Sequence, residues 1–342
     1  MTPPLITHLY TADPSAHVFE DRIYVYPSHD RESDVAFNDN GDQYDMADYH
    51  VFSTPSIDPP ALVTDHGVAL RVEDVPWASK QLWAPDAAFR NGTYYLYFPA
   101  RDKTGRFRIG VAQSPRPEGP FVADPDYIAG SYSVDPAVLV DDVAIVGSDG
   151  HEEATPAYLY FGGLWGGQLQ CYQGGNDVFD ESLSGPHEPS GSGVRALGPR
   201  VARLTQDMRA LAEPVREILI LAPETGEPIA ADDHDRRFFE AAWVHKRQGL
   251  YYFSYSTGDT HCLCYATGTS PYGPFTYRGR MLEPVVGWTT HHSVVEFHGR
   301  WYLFHHDSSL SGGVSHLRSV KVKEIFYDVD GNIVSEPVAA AA

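Results

Sequence analysis

The sequence predicts an all-β protein, and in particular a five-bladed β-propeller. A short aromatic strand, often preceded by a Gly or Asp turn, recurs five times, around Tyr24, Tyr95, Tyr158, Tyr252 and Tyr302. Strands rich in Tyr, Val and Phe that alternate with regular turns are typical of antiparallel sheets. Imperfect repetition at blade-like spacing is typical of radially repeated sheets. A β-sandwich whose strand segments resemble one another by chance is the alternative architecture.

A second repeated pattern favours the propeller. The segments IGVAQSPRPEGPF, which ends at Phe121, and CLCYATGTSPYGPFTY, which contains Phe275, each read as a strand, a Ser-Pro turn and a Gly-Pro-Phe entry into another strand. A weaker version, DYHVFSTPSID, follows the first aromatic strand. The composition agrees, because aromatic residues suit pleated strands and the 30 Gly and 26 Pro suit many turns.

We expect residues 1–342 to form a single propeller domain with one inserted segment. The longest gap between the repeats spans about residues 177–235. Its first half, NDVFDESLSGPHEPSGSG, has the composition of a loop. Its second half carries apolar residues near helical spacing, namely Val201, Leu204, Met208 and Leu211. The segment is interpreted as a loop plus a short helix or edge strand between blades.

Charge and composition exclude several classes of protein. The net charge of −21 repels nucleic acid and anionic membranes, so neither is an expected partner. The N-terminal segment lacks a signal-peptide pattern, and no stretch reaches the roughly 18 apolar residues of a membrane helix, so we expect a cytoplasmic protein. Cys171, Cys262 and Cys264 are an odd number in a long chain, which indicates free thiols rather than a disulfide framework.

Three acidic residues lie at the starts of apolar strands. Asp13 lies in TADPSAHVF, Asp135 lies in SYSVDPAVLV, and Glu240 lies in RRFFEAAWVHK. Because propeller strands begin near the central channel, we expect the three carboxylates to meet in one pocket. An Asp-Pro pair also suits an ordinary turn, which leaves a turn role open for Asp13 and Asp135. An apolar environment is costly for Glu240 unless a site requires it.

A set of carboxylates with different environments suits the hydrolysis of a glycosidic bond. One carboxylic acid protonates the leaving oxygen, while a second carboxylate activates water or attacks the sugar directly. The acid must keep its proton near neutral pH, which an apolar environment favours. Glu240 fits the acid, Asp13 fits the ionised base, and Asp135 could raise the pKa of the acid through like-charge repulsion.

The chain resembles the glycoside hydrolases of family 43, and most closely the exo-acting β-xylosidases and α-L-arabinofuranosidases. The resemblance runs from TADPSAHVF to LRSVKVKEIFYDVDGNI and rests on an ordered set of motifs. These are Asp-Pro-Ser, Trp-Ala-Pro-Asp, Val-Asp-Pro, Phe-Glu-Ala, His-His-Ser and a late Arg. Many members have Glu-Gly-Pro at the acid, where this chain has Phe-Glu-Ala-Ala. The resemblance implies a five-bladed propeller and a reaction that inverts the anomeric centre.

The resemblance also implies roles for individual residues. It makes Asp13 the general base and Glu240 the general acid. Asp135 takes the position that orients the acid and modulates its pKa. The xylose-type and arabinose-type substrates are not separated by these motifs.

Four further residues are candidates for binding the substrate. By the resemblance, Trp83 walls the terminal sugar subsite, and Arg318 contacts the sugar or a catalytic carboxylate. His291 matches a histidine at the propeller axis that supports the site directly or through a calcium ion, although its neighbour His292 competes for this position. Trp165 in GGLWGG is a candidate from its own setting, because the flanking glycines allow close approach to a ligand.

The resulting hypothesis is a hydrolase that removes a terminal pentose from short xylo- or arabinoxylo-oligosaccharides, as in xylan degradation. Calcium is the one cofactor that the resemblance implies, and no organic cofactor is expected. A propeller phosphorylase is an alternative, which would need a basic cluster for phosphate. A non-catalytic sugar-binding propeller is the other alternative.

Overall fold

The computed structural model describes residues 3–59, 61–142 and 155–337. Within these residues the chain forms five sheets around a common axis, which confirms the predicted all-β, five-bladed propeller. Each sheet is one blade, and neighbouring strands in it are antiparallel with one exception. Each blade uses consecutive strands of the chain, and in the fourth blade the first of these strands has two residues and lies at one edge of the sheet.

The first two blades come first in the chain. The first blade contains β1 (Tyr10–Phe19), β2 (Arg22–Asp30), β3 (Asp48–Thr54) and β4 (Thr64–Arg71). The second blade contains β5 (Ala78–Lys80), β6 (Asp86–Arg90), β7 (Thr93–Asp102), β8 (Phe107–Ser114) and β9 (Val122–Ala123). Both β5 and β6 pair with β7, at different points along it.

The other three blades follow in order. The third blade contains β10 (Ala137–Val140), β11 (Ala157–Phe161), β12 (Arg200–Arg203) and β13 (Arg216–Glu217). The fourth blade contains β14 (Ile220–Leu221), β15 (Glu240–Arg247), β16 (Leu250–Ser256), β17 (Leu263–Gly268) and β18 (Phe275–Leu282), and β14 is parallel to β18. The fifth blade contains β19 (His292–Phe297), β20 (Arg300–Asp307), β21 (Ser319–Tyr327) and β22 (Ile333–Val334). Short 3₁₀ turns lie at Val72–Asp74, Trp165–Gly167, Leu169–Tyr172, Glu181–Leu183 and Gly258–Thr260.

The innermost strands form a closed circle around the axis. Each innermost strand contacts the next one around the axis, in the order β1, β6, β10, β15 and β19, and β19 contacts β1 again. The buried apolar residues form three clusters, and aromatic and branched side chains of neighbouring blades meet in them. Because the apolar surface is buried between blades, the axis itself is left for polar side chains.

The ring closes through contacts between the first and last blades. The Leu5 N–H donates to the Val320 carbonyl at 2.8 Å, and the Thr11 N–H donates to the Arg318 carbonyl at 2.9 Å. On the inner strands, the Ala16 N–H donates to Ser293 Oγ at 3.0 Å. The beginning and end of the described chain are therefore held together next to the axis.

The segment at about 177–235 agrees with its predicted structure only in part. The helical spacing of its second half predicted a short helix or edge strand; Arg200–Arg203 form β12, an interior strand of the third blade, and Arg216–Glu217 form β13, the edge strand of that blade. Val201 lies opposite Tyr160 on β11. Leu204 and Leu211 form an antiparallel bridge across the turn that follows β12. Their helix-like spacing arises because a strand that ends in a turn brings apolar residues several positions apart onto one side.

The described residues bear on two features considered from composition, membrane-spanning helices and cysteines. Among the described residues, no helix is long and apolar enough to cross a membrane. The three cysteines are free thiols, and all three are buried. Burial raises the pKa of the Cys264 thiol to about 12, so this thiol stays protonated and unreactive near neutral pH.

Asp86 links the inner strands of three blades. Its Oδ1 accepts hydrogen bonds from Ser15 Oγ at 2.5 Å and lies 2.7 Å from His17 Nε2, both on β1. Its Oδ2 accepts the Val138 N–H on β10 at 2.5 Å. Asp86 itself is 1% exposed. The carboxylate thus satisfies buried donors on both neighbouring blades.

We predict that Asp86→Asn lowers the free energy of unfolding by about 2–4 kcal/mol. The side-chain NH₂ of Asn would point at one of the buried groups that now donate to the carboxylate, and neither donor would have an acceptor. Denaturant unfolding followed by fluorescence would measure the change. Asp126→Asn is the matched control, since Asp126 is exposed, and its effect should stay within about 0.5 kcal/mol. Equal stability of the two variants would show that Asp86 is not a structural link.

Candidate active site

The residues predicted for the site line a single pocket at the propeller axis. They come from all five blades or from the loops that enter them. They are Asp13, Trp83, Asp135, Trp165, Glu240, His291 and Arg318.

A left-handed backbone kink turns each of the three carboxylates towards the axis. Asp13 has a φ of 48° and Asp135 has a φ of 55°. Ala241, which follows Glu240, has a φ of 62°. The ladders of β1 and β15 shift register at these kinks. Such irregularities re-aim side chains, and Asp tolerates the left-handed region better than most residues.

Arg318 supplies the countercharge at the base of the pocket. Its Nη1 donates to Asp13 Oδ1 at 2.9 Å. Its Nε and Nη2 grip the two oxygens of Asp30 at 2.8 and 2.7 Å, a bidentate arrangement. Arg318 is only 3% exposed. Of the two contacts predicted for Arg318, the structure shows the one with a carboxylate.

The environment of Asp13 favours its ionised form. Ser28 Oγ donates to Asp13 Oδ2 at 2.7 Å, and the Asp13 N–H donates to His306 Nδ1 at 2.9 Å. Burial alone would raise the pKa of Asp13, but the charge of Arg318, nearby histidines and the Ser28 hydrogen bond outweigh it. The pKa of Asp13 is therefore lowered, and the carboxylate is charged at neutral pH.

Asp135 connects the third blade to the start of β15. Its Oδ2 accepts the Ala241 N–H at 2.7 Å, which holds the backbone next to Glu240. The same oxygen lies 3.8 Å from His291 Nε2. Burial raises the pKa of Asp135 to about 6, against the opposing effects of His291 and the Ala241 hydrogen bond.

The environment of Glu240 favours its protonated form. Burial raises its pKa well above the ordinary value, and the charges of Asp135 and Asp13 add to the effect. Gly163 permits this packing, because a Cβ there would lie 2.6 Å from Val134 Cγ2 and 3.4 Å from Glu240 Cβ. Glu240 and Asp13 thus have pKa values shifted in opposite directions within one pocket.

Trp83 is held in the pocket wall by the loop 31–47. Its Nε1 donates to the Tyr44 carbonyl at 2.8 Å. Its ring lies 4.5 Å from the Phe107 ring, centroid to centroid. Gly41 has a φ of +73°, and a Cβ there would lie 2.6 Å from Trp83 Cη2. Both the backbone conformation and the close packing therefore require glycine at this position.

Trp165 forms part of an aromatic group that lines the pocket. Its ring lies 5.3 Å from Phe239 and 5.6 Å from Trp288. Its Nε1 donates to Glu188 Oε2 at 2.9 Å. Glu188 also accepts from Arg237 Nη2 at 3.2 Å, so the loop after the third-blade strand β11 fixes the indole.

The glycines that flank Trp165 also pack against other parts of the protein. They were expected to allow close approach to a ligand, and Gly166 and Gly167 both line the pocket. A Cβ on Gly166 would meet the Asn40 carbonyl oxygen at 2.8 Å, and one on Gly167 would meet Val134 at 2.8 Å. The small residues are needed because protein atoms of the neighbouring loop and blade pack there.

Sequence reasoning missed several residues of this site. Loop conformation places some of them, and no spacing in the sequence predicts it. Trp288 and Thr289 carry a signal that could have found them, because they closely precede the predicted His291. The missed residues are Asp30, Phe37, Tyr44, Trp288, Thr289 and His306.

The structure decides which of the adjacent histidines faces the pocket. His291 lines it, while His292 is fully buried, with Nε2 2.6 Å from Ser254 Oγ on β16. The two side chains diverge because successive residues of an extended chain point to opposite sides.

If His291 binds a metal ion, it does so as the one side chain among the described residues that contacts the ion. Its Nε2 is buried and has no hydrogen-bond partner among the described residues. Its Nδ1 accepts the His292 N–H at 2.8 Å, so Nε2 is the ring nitrogen that an ion would contact. No described group of three ligating side chains includes His291. Calcium prefers several oxygen ligands, and water would have to supply most of them here.

Comparison with known proteins shows the family of the chain. The sequence matches the family model described as Glycosyl hydrolases family 43 over residues 4–161 and 198–333. A protein named Xylosidase/arabinosidase 43A from Humicola insolens is 74% identical over 97% of this chain and 98% of its own length. A Xylosidase/arabinosidase from Bacteroides ovatus is 53% identical over 95% of this chain and 94% of its own.

Solved structures agree with this assignment. A GH43 β-xylosidase/α-arabinofuranosidase from a compost microbial metagenome, in complex with xylotriose and in a calcium-free form, superposes with a TM-score of 0.91. It is 56% identical and covers 98% of this chain and 97% of its own. Because the family model and these relatives cover most of the sequence, the chain belongs to glycosyl hydrolase family 43 and is a glycoside hydrolase.

Proposed function

We propose that the protein is an inverting exo-hydrolase that releases a terminal pentose, β-D-xylose or α-L-arabinofuranose, from short plant oligosaccharides. The observation that carries this proposal is the pairing of Asp13, whose pKa is lowered, with Glu240, whose pKa is raised. Two carboxyl groups held in opposite protonation states are what general acid and general base catalysis of glycoside hydrolysis needs.

In the proposed reaction, Glu240 donates its proton to the glycosidic oxygen as the bond between this oxygen and the anomeric carbon breaks. A water molecule attacks the anomeric carbon from the opposite face and gives its proton to Asp13. Glu240 ends deprotonated and Asp13 ends protonated. Exchange of protons with solvent restores both groups for the next cycle.

Asp135 and Arg318 are proposed to maintain these protonation states. Asp135 holds the backbone beside Glu240 through the Ala241 N–H, and its negative charge disfavours a second negative charge on Glu240. Arg318 lowers the pKa of Asp13 and fixes the orientation of its carboxylate. Each modulator thus acts mainly on one member of the proposed pair.

The aromatic walls support a sugar substrate. Trp83, Trp165 and Trp288 all line the pocket, and the rings of Trp165 and Trp288 lie 5.6 Å apart. Flat aromatic faces suit the apolar faces of a sugar ring, while the carboxylates and Arg318 suit its hydroxyl groups. The names of the relatives from Humicola insolens and Bacteroides ovatus, and the xylotriose bound to the compost enzyme, favour xylose and arabinose.

His291 is proposed to face either a sugar hydroxyl or a calcium ion, with water completing the shell of the ion. The description of the compost enzyme as a calcium-free form motivates a test of calcium here. A bound calcium ion would supply positive charge beside the carboxylates.

The basic groups of the pocket do not favour a phosphorylase. Among the described residues, Arg318 is the one Arg or Lys that lines the pocket, and two aspartates already engage it. Phosphate recognition usually requires several free cationic donors. Turnover that depends on added phosphate would restore that alternative.

We predict that Glu240→Gln lowers kcat/KM by about 10²–10⁴ on aryl pentosides with poor leaving groups. The loss should be far smaller when the leaving group is 2,4-dinitrophenolate, which needs no protonation. Initial rates over a series of leaving groups would measure the contrast. A loss of equal size across the series would contradict the assignment of Glu240 as the acid.

The pH profile tests the opposing pKa shifts. The active form needs ionised Asp13 and protonated Glu240, so kcat/KM should fall at low pH as Asp13 is protonated and at high pH as Glu240 loses its proton. Arg318→Lys weakens the contact that lowers the pKa of Asp13, so the acid limb should move to higher pH while the basic limb stays. A shift confined to the basic limb would contradict this.

The stereochemistry and the sugar preference are open to direct measurement. Proton NMR of early products from an aryl β-D-xylopyranoside should show α-xylose first, because inversion exchanges the anomeric configuration. Rates on this substrate and on an aryl α-L-arabinofuranoside, each with calcium and with chelator, give the preferred sugar and the effect of calcium. Initial formation of β-xylose would rule out inversion, and a chelator without effect would remove calcium from the reaction.

A further inference from the structure

A second group of polar side chains lies on the first blade, separate from the residues that line the pocket. Within the described parts of the chain, it is the one group of at least three His, Cys, Asp or Glu residues whose ligand atoms lie within 4.8 Å of one another. It consists of His29, Asp48 and His50, here called the His-Asp-His cluster. We propose that this cluster binds a divalent transition-metal ion such as Zn²⁺.

The strands of the first blade place these side chains together. Asp48 and His50 are the first and third residues of β3, so both point to the same face of the sheet. His29 lies near the end of β2, which pairs with β3. His29 Nδ1 is 2.6 Å from Asp48 Oδ1, and His50 Nε2 is 4.0 Å from the same oxygen. Ligands of tetrahedral zinc lie about 3.4 Å apart for bonds near 2.1 Å, so small side-chain rotations suffice.

Asp65 on β4 orients one of the proposed ligands. Its Oδ1 lies 3.0 Å from His50 Nδ1 and accepts the Gly67 N–H at 2.7 Å. A hydrogen bond from Nδ1 leaves the Nε2 lone pair of His50 free on the side of Asp48. Metal-binding histidines usually have such a carboxylate behind them, because it sets the tautomer and the ring orientation.

The chemistry and the access both suit a zinc-type ion. Two imidazoles and a carboxylate favour Zn²⁺, Ni²⁺ or Co²⁺, whereas Ca²⁺ prefers a shell of oxygen ligands. The three side chains are 21%, 19% and 15% exposed in the order His29, Asp48, His50. Solvent can therefore deliver the ion and supply a water molecule as the fourth ligand.

An ion bound at this cluster would join the two ends of a loop that lines the pocket. Loop 31–47, which carries Phe37 and Tyr44 into the pocket, begins just after β2 and ends just before β3. His29 and Asp48 stand at its two ends, so an ion bound to both cross-links the base of the loop. Binding at this cluster does not depend on the proposed reaction, because none of its residues lines the pocket.

The test is zinc binding by the whole protein, first stripped with chelator and then freed of it. Calorimetric titration with Zn²⁺ should give one more bound ion for the wild type than for His50→Ala. Asp65→Asn should keep that ion but bind it about 10–100-fold more weakly. The matched control is His66→Ala, because His66 lies on the same blade but contacts Ser53 instead of the cluster. This control should bind zinc as the wild type does.

Thermal unfolding gives a second measurement. Zinc bound at His291 would raise the Tm of the wild type and of His50→Ala alike, so the difference between the two proteins reports only on the His-Asp-His cluster. Zinc at a hundredfold excess over its Kd should raise the Tm of the wild type and of His66→Ala by about 5 °C more than that of His50→Ala. The visible spectrum of bound Co²⁺ should differ between the same variants. Equal stoichiometry and equal Tm shifts in wild type and His50→Ala, with both proteins folded in chelator, would overturn the proposal.

Discussion

The buried guanidinium of Arg318 is the interaction on which the rest of the site depends. It immediately precedes β21 of the last blade and binds Asp13 and Asp30 on the two inner strands of the first blade. Its carbonyl also accepts the Thr11 N–H, so one residue helps to close the ring and forms ion pairs with two buried carboxylates. Removal of one partner from such a buried pair typically costs about 3–5 kcal/mol, because the other charge is left uncompensated.

The same charge separates the two members of the proposed catalytic pair. Asp13 touches Arg318 and has a lowered pKa, whereas Glu240 faces Asp135 in a desolvated wall and has a raised pKa. The two carboxyl groups therefore have opposite pKa shifts, because burial beside Asp135 dominates at Glu240, whereas Arg318, nearby histidines and Ser28 outweigh burial at Asp13. The blades make this possible because their apolar surfaces are buried against one another, which leaves the axis for charged side chains.

The periodic parts of the sequence were predictable, and the irregular parts were not. Aromatic strands around Tyr95 and Tyr252 carry a local signal, because alternation and turn residues act within a few positions. Of the helix and the edge strand predicted near Val201–Leu211, the helix was wrong, since a strand and its turn produced the same spacing. Loop 31–47 carried no usable pattern, and its packing on Trp83 depends on Gly41 meeting an indole from another blade.

The sequence by itself determined the fold class and the identities of the three carboxylates, because both are carried by strand periodicity and by short motifs in a specific order. Only the tertiary structure decided the partners of those carboxylates. It placed Arg318 on Asp13, turned His291 rather than His292 into the pocket, and brought Trp288 beside Trp165. These contacts join residues that are distant in the chain, and backbone kinks at single positions aim them, so no local pattern encodes them.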